Sequence, residues 1–200
     1  ASHNPPADNG IKFFGAEGTK LSTALQQQIE QALRGHSGAL VNLAGEQWGQ
    51  WHHRPELVNQ YLEFLHEPLP TLDLSGLKVV LDMAWGAAAG IAHRAFARTG
   101  ADVVGLHGLP DGDRINVNCG STHLGALQTA IREHEADLGF AFDGDADRVI
   151  AVDAKGRVVD GDYILYLWGQ QLKAADRLPE NLIVSTVMAN LGFERAWNAL

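Results

Sequence analysis

Residues 137–152 read DLGFAFDGDADRVIAV, and this stretch decides the fold that we expect. The apolar runs at 137–142 and 149–152 have the length and composition of buried β-strands. Between them lie three aspartates at alternate positions, followed by an arginine: Asp143, Asp145, Asp147 and Arg148. We therefore predict a tight loop between two strands of a sheet, with three carboxylates held close together.

The aspartate loop has the donor set of a metal site. Three negative charges on one short loop repel each other unless a cation lies between them. Side chains at alternate positions of a tight loop can turn their oxygens to one point, and a cage of hard oxygens suits Mg2+, with Ca2+ or Mn2+ as substitutes. A solvated acidic turn is the alternative, because Asp and Gly are common in turns. We favour a metal site because the aspartates stand between two apolar strands.

Composition excludes several classes of function. With 200 residues and 46% hydrophobic content, the chain can form one large domain or two small ones around a real core. A net charge of -9 argues against nucleic acid or an anionic membrane as the main partner, and no apolar run approaches the length of a membrane span. Cys119 is the only cysteine, so we expect a core thiol in a reducing compartment such as the cytoplasm.

The centre of the chain reads as an α/β succession. A strand at 77–82, a helix at 87–98 and a strand at 101–106 form a βαβ unit with parallel strands. A helix capped by Ser121 or Thr122 then leads to the strand before the aspartate loop. Asp82 stands at the carboxyl end of its strand, where open α/β sheets bind ligands, but a single acidic residue is weak evidence there.

Two helices are predicted before this α/β succession. Ser22 can cap a helix through Leu33 with Leu21, Leu25 and Ile29 on a buried face. Pro55 can start a second helix through His66. The apolar side of this second helix consists of Leu57, Tyr61, Phe64 and Leu65.

A linker and the start of a further α/β unit complete the pattern. We expect the segment 67–73, with its two prolines, to be a linker. A turn at 154–157, a helix at 161–173, a strand at 181–185 and a helix from Asn190 would begin a further α/β unit.

The first ten residues, ASHNPPADNG, form a loop rich in turn residues. Ser2 and His3 are adjacent, and Lys12 follows on a short predicted strand at 11–14. From these residues alone we favour a frayed terminus, because a Ser-His pair without a third partner is a weak sign of a nucleophile.

Other chemistries that use clustered aspartates fit the spacing less well. An EF-hand would need Gly at the sixth loop position and Glu at the twelfth, where this chain has Arg148 and Ala154. A haloacid-dehalogenase-type phosphatase would carry phosphate on Asp143 but expects Thr or Val at Asp147. That phosphatase and a non-catalytic metal-binding module remain as alternatives.

Two separated motifs resemble those of the α-D-phosphohexomutase family. One is the Ser-His-Asn-Pro run at 2–5 with Asn-Gly at 9–10 and Lys12, and the other is the Asp-Gly-Asp-Ala-Asp-Arg run at 143–148. The segments 8–14 and 118–124 are most similar to the bacterial phosphoglucosamine mutase branch, and the resemblance covers nearly all of the chain.

The resemblance implies a role for each residue of the two motifs. Ser2 would carry the phosphoryl group that passes to a hexose or hexosamine phosphate, and His3 or Lys12 would handle the proton. Arg148 would bind phosphate. Mg2+ would be held by an oxygen of phosphorylated Ser2 and by Asp143, Asp145 and Asp147. Ala146 stands where the family usually has glycine, which matters if this position needs a positive φ.

The resemblance also implies an α/β fold of mixed, largely parallel sheets flanked by helices in repeated units, here an incomplete multidomain phosphohexomutase fold. Residues 1–66 would be the C-terminal part of domain I with the phosphoserine loop, 67–157 domain II with the metal loop, and 158–200 the start of domain III. We expect the isolated chain to be inactive, and the assembly of the full-length protein, including a homo-oligomer, stays open.

Overall fold

The computed structural model describes residues 6–8, 13–36, 45 and 49–200. The chain divides into two compact units. The smaller unit is Asn9–Leu57, and the larger combines Ala1–Asp8 with Val58–Leu200.

In the smaller unit the predicted first helix is present but exposed. Helix α1 spans Thr23–Leu33, and the Oγ of Ser22 caps it by accepting a hydrogen bond from the backbone N–H of Leu25 at 3.3 Å. None of the α1 residues, all of which the structure describes, is buried, and Leu33 is 78% exposed. The prediction that α1 buries one face is therefore wrong. Among the described residues of this unit, the segment around the Phe14–Lys20 bridge lies beside the helix but does not cover it.

The larger unit contains a five-stranded sheet. In chain order its strands are β1 (Lys78–Asp82), β2 (Asp102–Leu106), β3 (Leu138–Phe142), β4 (Val149–Asp153) and β5 (Val158–Val159). The spatial order is β2-β1-β3-β4-β5. Strand β1 pairs in parallel with β2 and β3, β4 pairs antiparallel with β3, and β5 pairs antiparallel with β4. The prediction of a mixed α/β sheet is confirmed, and β3 is its central strand.

The remaining helices lie before, between and after these strands in the chain. They are α2 (Leu57–His66), α3 (Ala92–Ala97), α4 (Gly125–Glu133), α5 (Gly161–Ala174) and α6 (Leu191–Asn198), with short 3-10 helices at Ala87–Gly90, Gly120–Thr122 and Pro179–Asn181. The helix predicted at 87–98 is thus interrupted at Ile91. The cap predicted at Ser121 or Thr122 is wrong, because both lie in a 3-10 turn and α4 follows Leu124 without a side-chain cap.

Helices cover both faces of the sheet. Alternate residues of β1 point to opposite sides, so Val80 packs with α4 residues such as Leu127 and Ile131, while Val79 and Leu81 pack with the α3 side. This three-layer α/β/α arrangement buries most of β1 and alternate residues of β3, and it fixes the carboxyl ends of both strands.

The helix predicted through His66 is present as α2, but it buries only Leu62, and the apolar side predicted from its sequence is 38% to 65% exposed: Leu57, Tyr61, Phe64 and Leu65. The segment 181–185 forms no strand, because no strand among the described residues pairs with it, and Val184 is 84% exposed. The helix predicted from Asn190 is present as α6, and the structure shows that Asn190 caps it by accepting from the N–H of Phe193 at 2.9 Å.

Candidate metal site

The aspartate loop, residues 143–148, joins the antiparallel strands β3 and β4 at the carboxyl end of β3. The N–H of Asp143 donates to the carbonyl of Arg148 at 3.2 Å and continues the ladder for one more pair. The N–H of Ala146 donates to the carbonyl of Asp143 at 3.0 Å and closes a turn. The loop is therefore tight, and its side chains are held over the end of the sheet.

The three carboxylates of this loop lie close together. Asp143, Asp145 and Asp147 each offer an oxygen within 4.8 Å of the others. Asp143 is 1% exposed, whereas the side chain of Asp147 is 62% exposed. A buried oxygen beside solvent-facing oxygens makes an open site, and an all-oxygen donor set fits Mg2+ or Ca2+ better than a soft metal.

Like-charge repulsion is visible at Asp147. Partial loss of hydration, followed by the negative charges of Asp143 and Asp145, raises the pKa of the Asp147 carboxyl above its ordinary value of 3.8. A bound cation would remove the cause of this repulsion, because it would neutralise charge at the centre of the cluster.

Arg148 is the charge partner of the buried carboxylate. Its Nε donates to Oδ2 of Asp143 at 2.9 Å, and its backbone N–H donates to Oδ1 at 3.0 Å. The same Nε lies 3.6 Å from an oxygen of Asp147. The guanidinium is half exposed, so its charge lies at the solvent side of the cluster.

The loop backbone includes a residue in the left-handed region. Ala146 has φ of +60°, a conformation that is rare for residues with a Cβ. The sequence reasoning identified this position as sensitive to φ, and the structure gives it the demanding conformation.

An open cavity of about 620 Å3 borders this end of the sheet. It lies beside Gly144 and is lined by Trp85, Gly86 and the 110–112 loop. Its size allows a small polar ligand to approach the aspartate loop from the side of β1.

Ser2, His3 and Lys12 lie outside the described residues. Their roles stay predictions.

A second group of polar side chains lies at the neighbouring strand end, and sequence reasoning missed it as a group. Asp82, His107 and Cys119 offer ligand-type atoms within 4.8 Å of one another. Asp82 is completely buried, and both of its oxygens accept hydrogen bonds from protein donors. Burial, and then the charge of Asp82, raise the pKa of the Cys119 thiol to about 11, so this sulfur stays protonated. The position of Asp82 at a strand end was the only sequence signal.

Comparisons with known proteins agree with the resemblance. Residues 59–156 match the profile described as phosphoglucomutase/phosphomannomutase, alpha/beta/alpha domain II, while residues 1–38 and 160–200 match domains I and III of the same description. Together these matches cover most of the chain.

Curated relatives are similar along the whole chain. Phosphoglucosamine mutases from Rippkaea orientalis and Trichodesmium erythraeum are 64% and 63% identical over 201 and 198 residues. These alignments cover 100% and 99% of this chain but 41% and 40% of the relatives, so the chain spans about two fifths of their length.

Solved structures share the fold. A phosphoglucomutase/phosphomannomutase family protein from Burkholderia thailandensis is 25% identical with a TM-score of 0.63, over 88% of this chain and 37% of its own. A structure from Thermus thermophilus is 24% identical with a TM-score of 0.61, over 88% and 40%. Three profile matches of one family, supported by these relatives, show that the chain belongs to the phosphoglucomutase/phosphomannomutase family of α-D-phosphohexomutases.

Proposed function

We propose that this chain carries the metal loop and the phosphoserine loop of a phosphoglucosamine mutase. In the complete protein, an isomerase, the phosphoryl group would move between the 6- and 1-positions of glucosamine phosphate through phosphoserine and a sugar bisphosphate. The observation that carries the proposal is the cluster of three carboxylates within 4.8 Å, in a chain 64% identical to a phosphoglucosamine mutase. Glucose or mannose phosphate is the second candidate substrate, because the matching profiles name those activities.

The proposed metal is Mg2+, held by Asp143, Asp145 and Asp147 together with an oxygen of phosphorylated Ser2. The donor set supports this choice, since all the candidate ligand atoms are hard oxygens. When bound, Mg2+ would offset the charge that develops on the transferring phosphoryl group. The protein would hold the three carboxylates on a short loop that is closed by its own hydrogen bonds.

Ser2 is the proposed carrier. The bond from phosphorus to Ser2 Oγ would break as a bond to a sugar hydroxyl oxygen forms, and the hydroxyl proton would pass through His3 or Lys12 to the released Ser2 Oγ. In the second half-reaction the other phosphoryl group of the bisphosphate would return to Ser2 Oγ, and the serine proton would pass back to the released sugar oxygen. Alignment of the groups would supply much of the acceleration.

Arg148 is the proposed phosphate ligand of the metal loop. Its planar guanidinium suits phosphate oxygens, and its half-exposed position beside Asp143 supports this role. A cation fixed at an acidic cluster would also reduce the repulsion that the net charge of -9 imposes on a phosphate substrate.

The proposed domains are 1–66, 67–157 and 158–200, as the resemblance implies. A cytoplasmic location fits a phosphorylated sugar as substrate. Among the described residues, no helix has the length and apolar character of a membrane span. Since the chain spans about 41% of a relative, we expect the isolated 200 residues not to turn over substrate.

Calorimetric titration of the purified chain with Mg2+ tests the metal site. We expect one bound ion per chain, loss of binding in Asp145→Ala, and unchanged binding in Asp113→Asn, which removes an exposed carboxylate elsewhere. Absence of Mg2+ binding to the wild-type chain would defeat the proposed site.

The full-length protein tests the reaction itself. Mass spectrometry should find phosphate on Ser2, whereas a haloacid-dehalogenase-type enzyme would carry it on Asp143. Assays with the 6-phosphates of glucosamine, glucose and mannose should show preference for glucosamine. A preference for glucose or mannose would favour the second candidate.

A further inference from the structure

The carboxylate of Asp82, at the end of β1, joins three separate loops. Its Oδ1 accepts from the N–H of Ala84 at 3.0 Å and from Nδ1 of His107 at 2.8 Å. Its Oδ2 accepts from the N–H of Gly120 at 2.9 Å. Because the side chain is completely buried, these donors replace all the water that would otherwise solvate the carboxylate.

The loops joined by Asp82 have unusual backbone conformations. Ala84, Trp85 and His107 have φ of +52°, +57° and +52°, and Gly120 has +70°. Residues with a Cβ rarely adopt such values, so the surrounding contacts must hold them. The N–H of Trp85 also donates to the carbonyl of His107 at 3.0 Å, which ties two of these loops directly.

The same loops contact the backbone on both sides of Asp143, at Phe142 in β3 and at Gly144 in the aspartate loop. The N–H of Ala87 donates to the carbonyl of Gly144 at 2.9 Å, and a Cβ on Gly86 would lie 2.2 Å from that oxygen. A Cβ on Gly120 would lie 2.5 Å from the carbonyl oxygen of Phe142. The backbone of the loops joined by Asp82 is thus in close contact with the residue before Asp143 and with the residue after it.

We propose that Asp82 is a positioning residue for the metal loop. By fixing the loops that contact Phe142 and Gly144, it sets the relative placement of the Asp143 and Asp145 carboxylates. Asp82 is not proposed as a metal ligand, because its buried carboxylate belongs to a different group of side chains from the three aspartates and already accepts three hydrogen bonds. The inference rests on the proposed function, in which the aspartate loop binds Mg2+.

A metal bound by Asp82, His107 and Cys119 explains the same cluster less well. Oδ1 of Asp82 already accepts two hydrogen bonds and Oδ2 accepts a third, so Oδ1 has no lone pair left for a metal, and Nδ1 of His107 faces the carboxylate as a donor. The hydrogen bonds of Asp82 alone account for this cluster, because they connect the three loops to one another.

Mg2+ affinity, measured by calorimetry on the 200-residue chain, tests this role. In Asp82→Asn the amide group turns a donor toward one of the N–H groups, and we expect the affinity to fall about ten-fold or more. His107→Ala, which removes a single donor, should lower it by a smaller factor. His107→Asn should restore it, since Asn offers an N–H in a similar place and tolerates a positive φ.

The matched control is Val80→Ala, a buried substitution in the same strand whose side chain packs in the cluster on the α4 side. It should destabilise the chain while leaving Mg2+ affinity within about two-fold of wild type. Equal losses of affinity in Val80→Ala and Asp82→Asn would overturn the inference, because general destabilisation would then explain both.

The outcomes separate this inference from the proposed function. Wild-type binding of Mg2+ with unchanged affinity in Asp82→Asn and His107→Ala would overturn the positioning role and leave the metal site intact. A wild-type chain that binds no Mg2+ would defeat both. If Asp82→Asn does not fold, the comparison of His107→Ala with His107→Asn decides the question.

Discussion

Arg148 binds the carboxylate of Asp143 at both oxygens, through its backbone N–H at 3.0 Å and its side-chain Nε at 2.9 Å. The acid is buried and the base is half exposed, so the pair connects the protein interior to the solvent side of the cluster. The buried negative charge therefore has a protein partner while the neighbouring aspartates face solvent more directly.

Removal of this partner should destabilise the chain. In Arg148→Ala without divalent metal, we expect the free energy of unfolding to fall by about 1–2 kcal/mol, less than for a fully buried pair because the guanidinium is half exposed. Urea unfolding in the presence of a chelator measures this. The control is Arg157→Ala, which breaks a more exposed pair with Asp153 and should cost less. Equal losses in the two variants would contradict the expectation.

The raised pKa of Asp147 predicts a pH-dependent effect on stability. A carboxyl group that binds its proton more tightly in the folded chain stabilises the fold below its ordinary pKa of 3.8, and this contribution is lost as pH rises through the folded value. Without metal, Asp147→Asn should therefore be more stable than wild type at neutral pH, and the difference should shrink as pH falls through the folded pKa toward 3.8.

Unfolding curves of both proteins between acid and neutral pH measure this difference. Asp113→Asn serves as the control for an exposed carboxyl outside the cluster. Saturating Mg2+ should reverse the order at neutral pH, because the ion stabilises the wild-type fold by binding to it. Parallel pH profiles for wild type and Asp147→Asn would refute the repulsion.

Local patterns in the sequence predicted strands β1 to β4 and the aspartate loop, although the strand predicted at 181–185 does not form. Apolar runs bounded the loop, and the alternation of Asp143, Asp145 and Asp147 required a tight connection. Ser22 was identified as a helix cap because capping depends on residues only three positions away.

Tertiary contacts account for what the sequence did not predict. The hydrogen bonds that Asp82 accepts from His107 and Gly120 join residues 25 and 38 positions apart, and no local pattern marks such partners. The burial of Leu62 instead of its neighbours depends on which helix face meets another element. The sequence did not predict the positive φ of Ala146, because alanine rarely adopts this conformation; it indicated only that alanine would be unfavourable if the position required it.

Glycine at position 146 should relieve backbone strain. Because Ala146 has φ of +60°, we expect Ala146→Gly to stabilise the metal-free chain by about 1 kcal/mol, the cost of the left-handed conformation less the extra freedom of the unfolded glycine. Urea unfolding measures this. Ala154→Gly is the control, since Ala154 lies in an exposed turn without a positive φ and should lose stability or remain unchanged. Destabilisation by Ala146→Gly would contradict the strain.

Cys119 should be chemically inert in the folded chain. Its pKa of about 11, two units above the ordinary value of 9.0, lowers the thiolate fraction at pH 8 by about 100-fold, and complete burial excludes the reagent as well. Reaction with an aromatic disulfide reagent should therefore be at least about 100-fold slower in the native chain than in the same chain unfolded in urea. The unfolded sample controls for the intrinsic reactivity of the thiol. Comparable rates in the two samples would mean that the loop carrying Cys119 opens readily, and that the hydrogen bonds of Asp82 do not hold this loop closed.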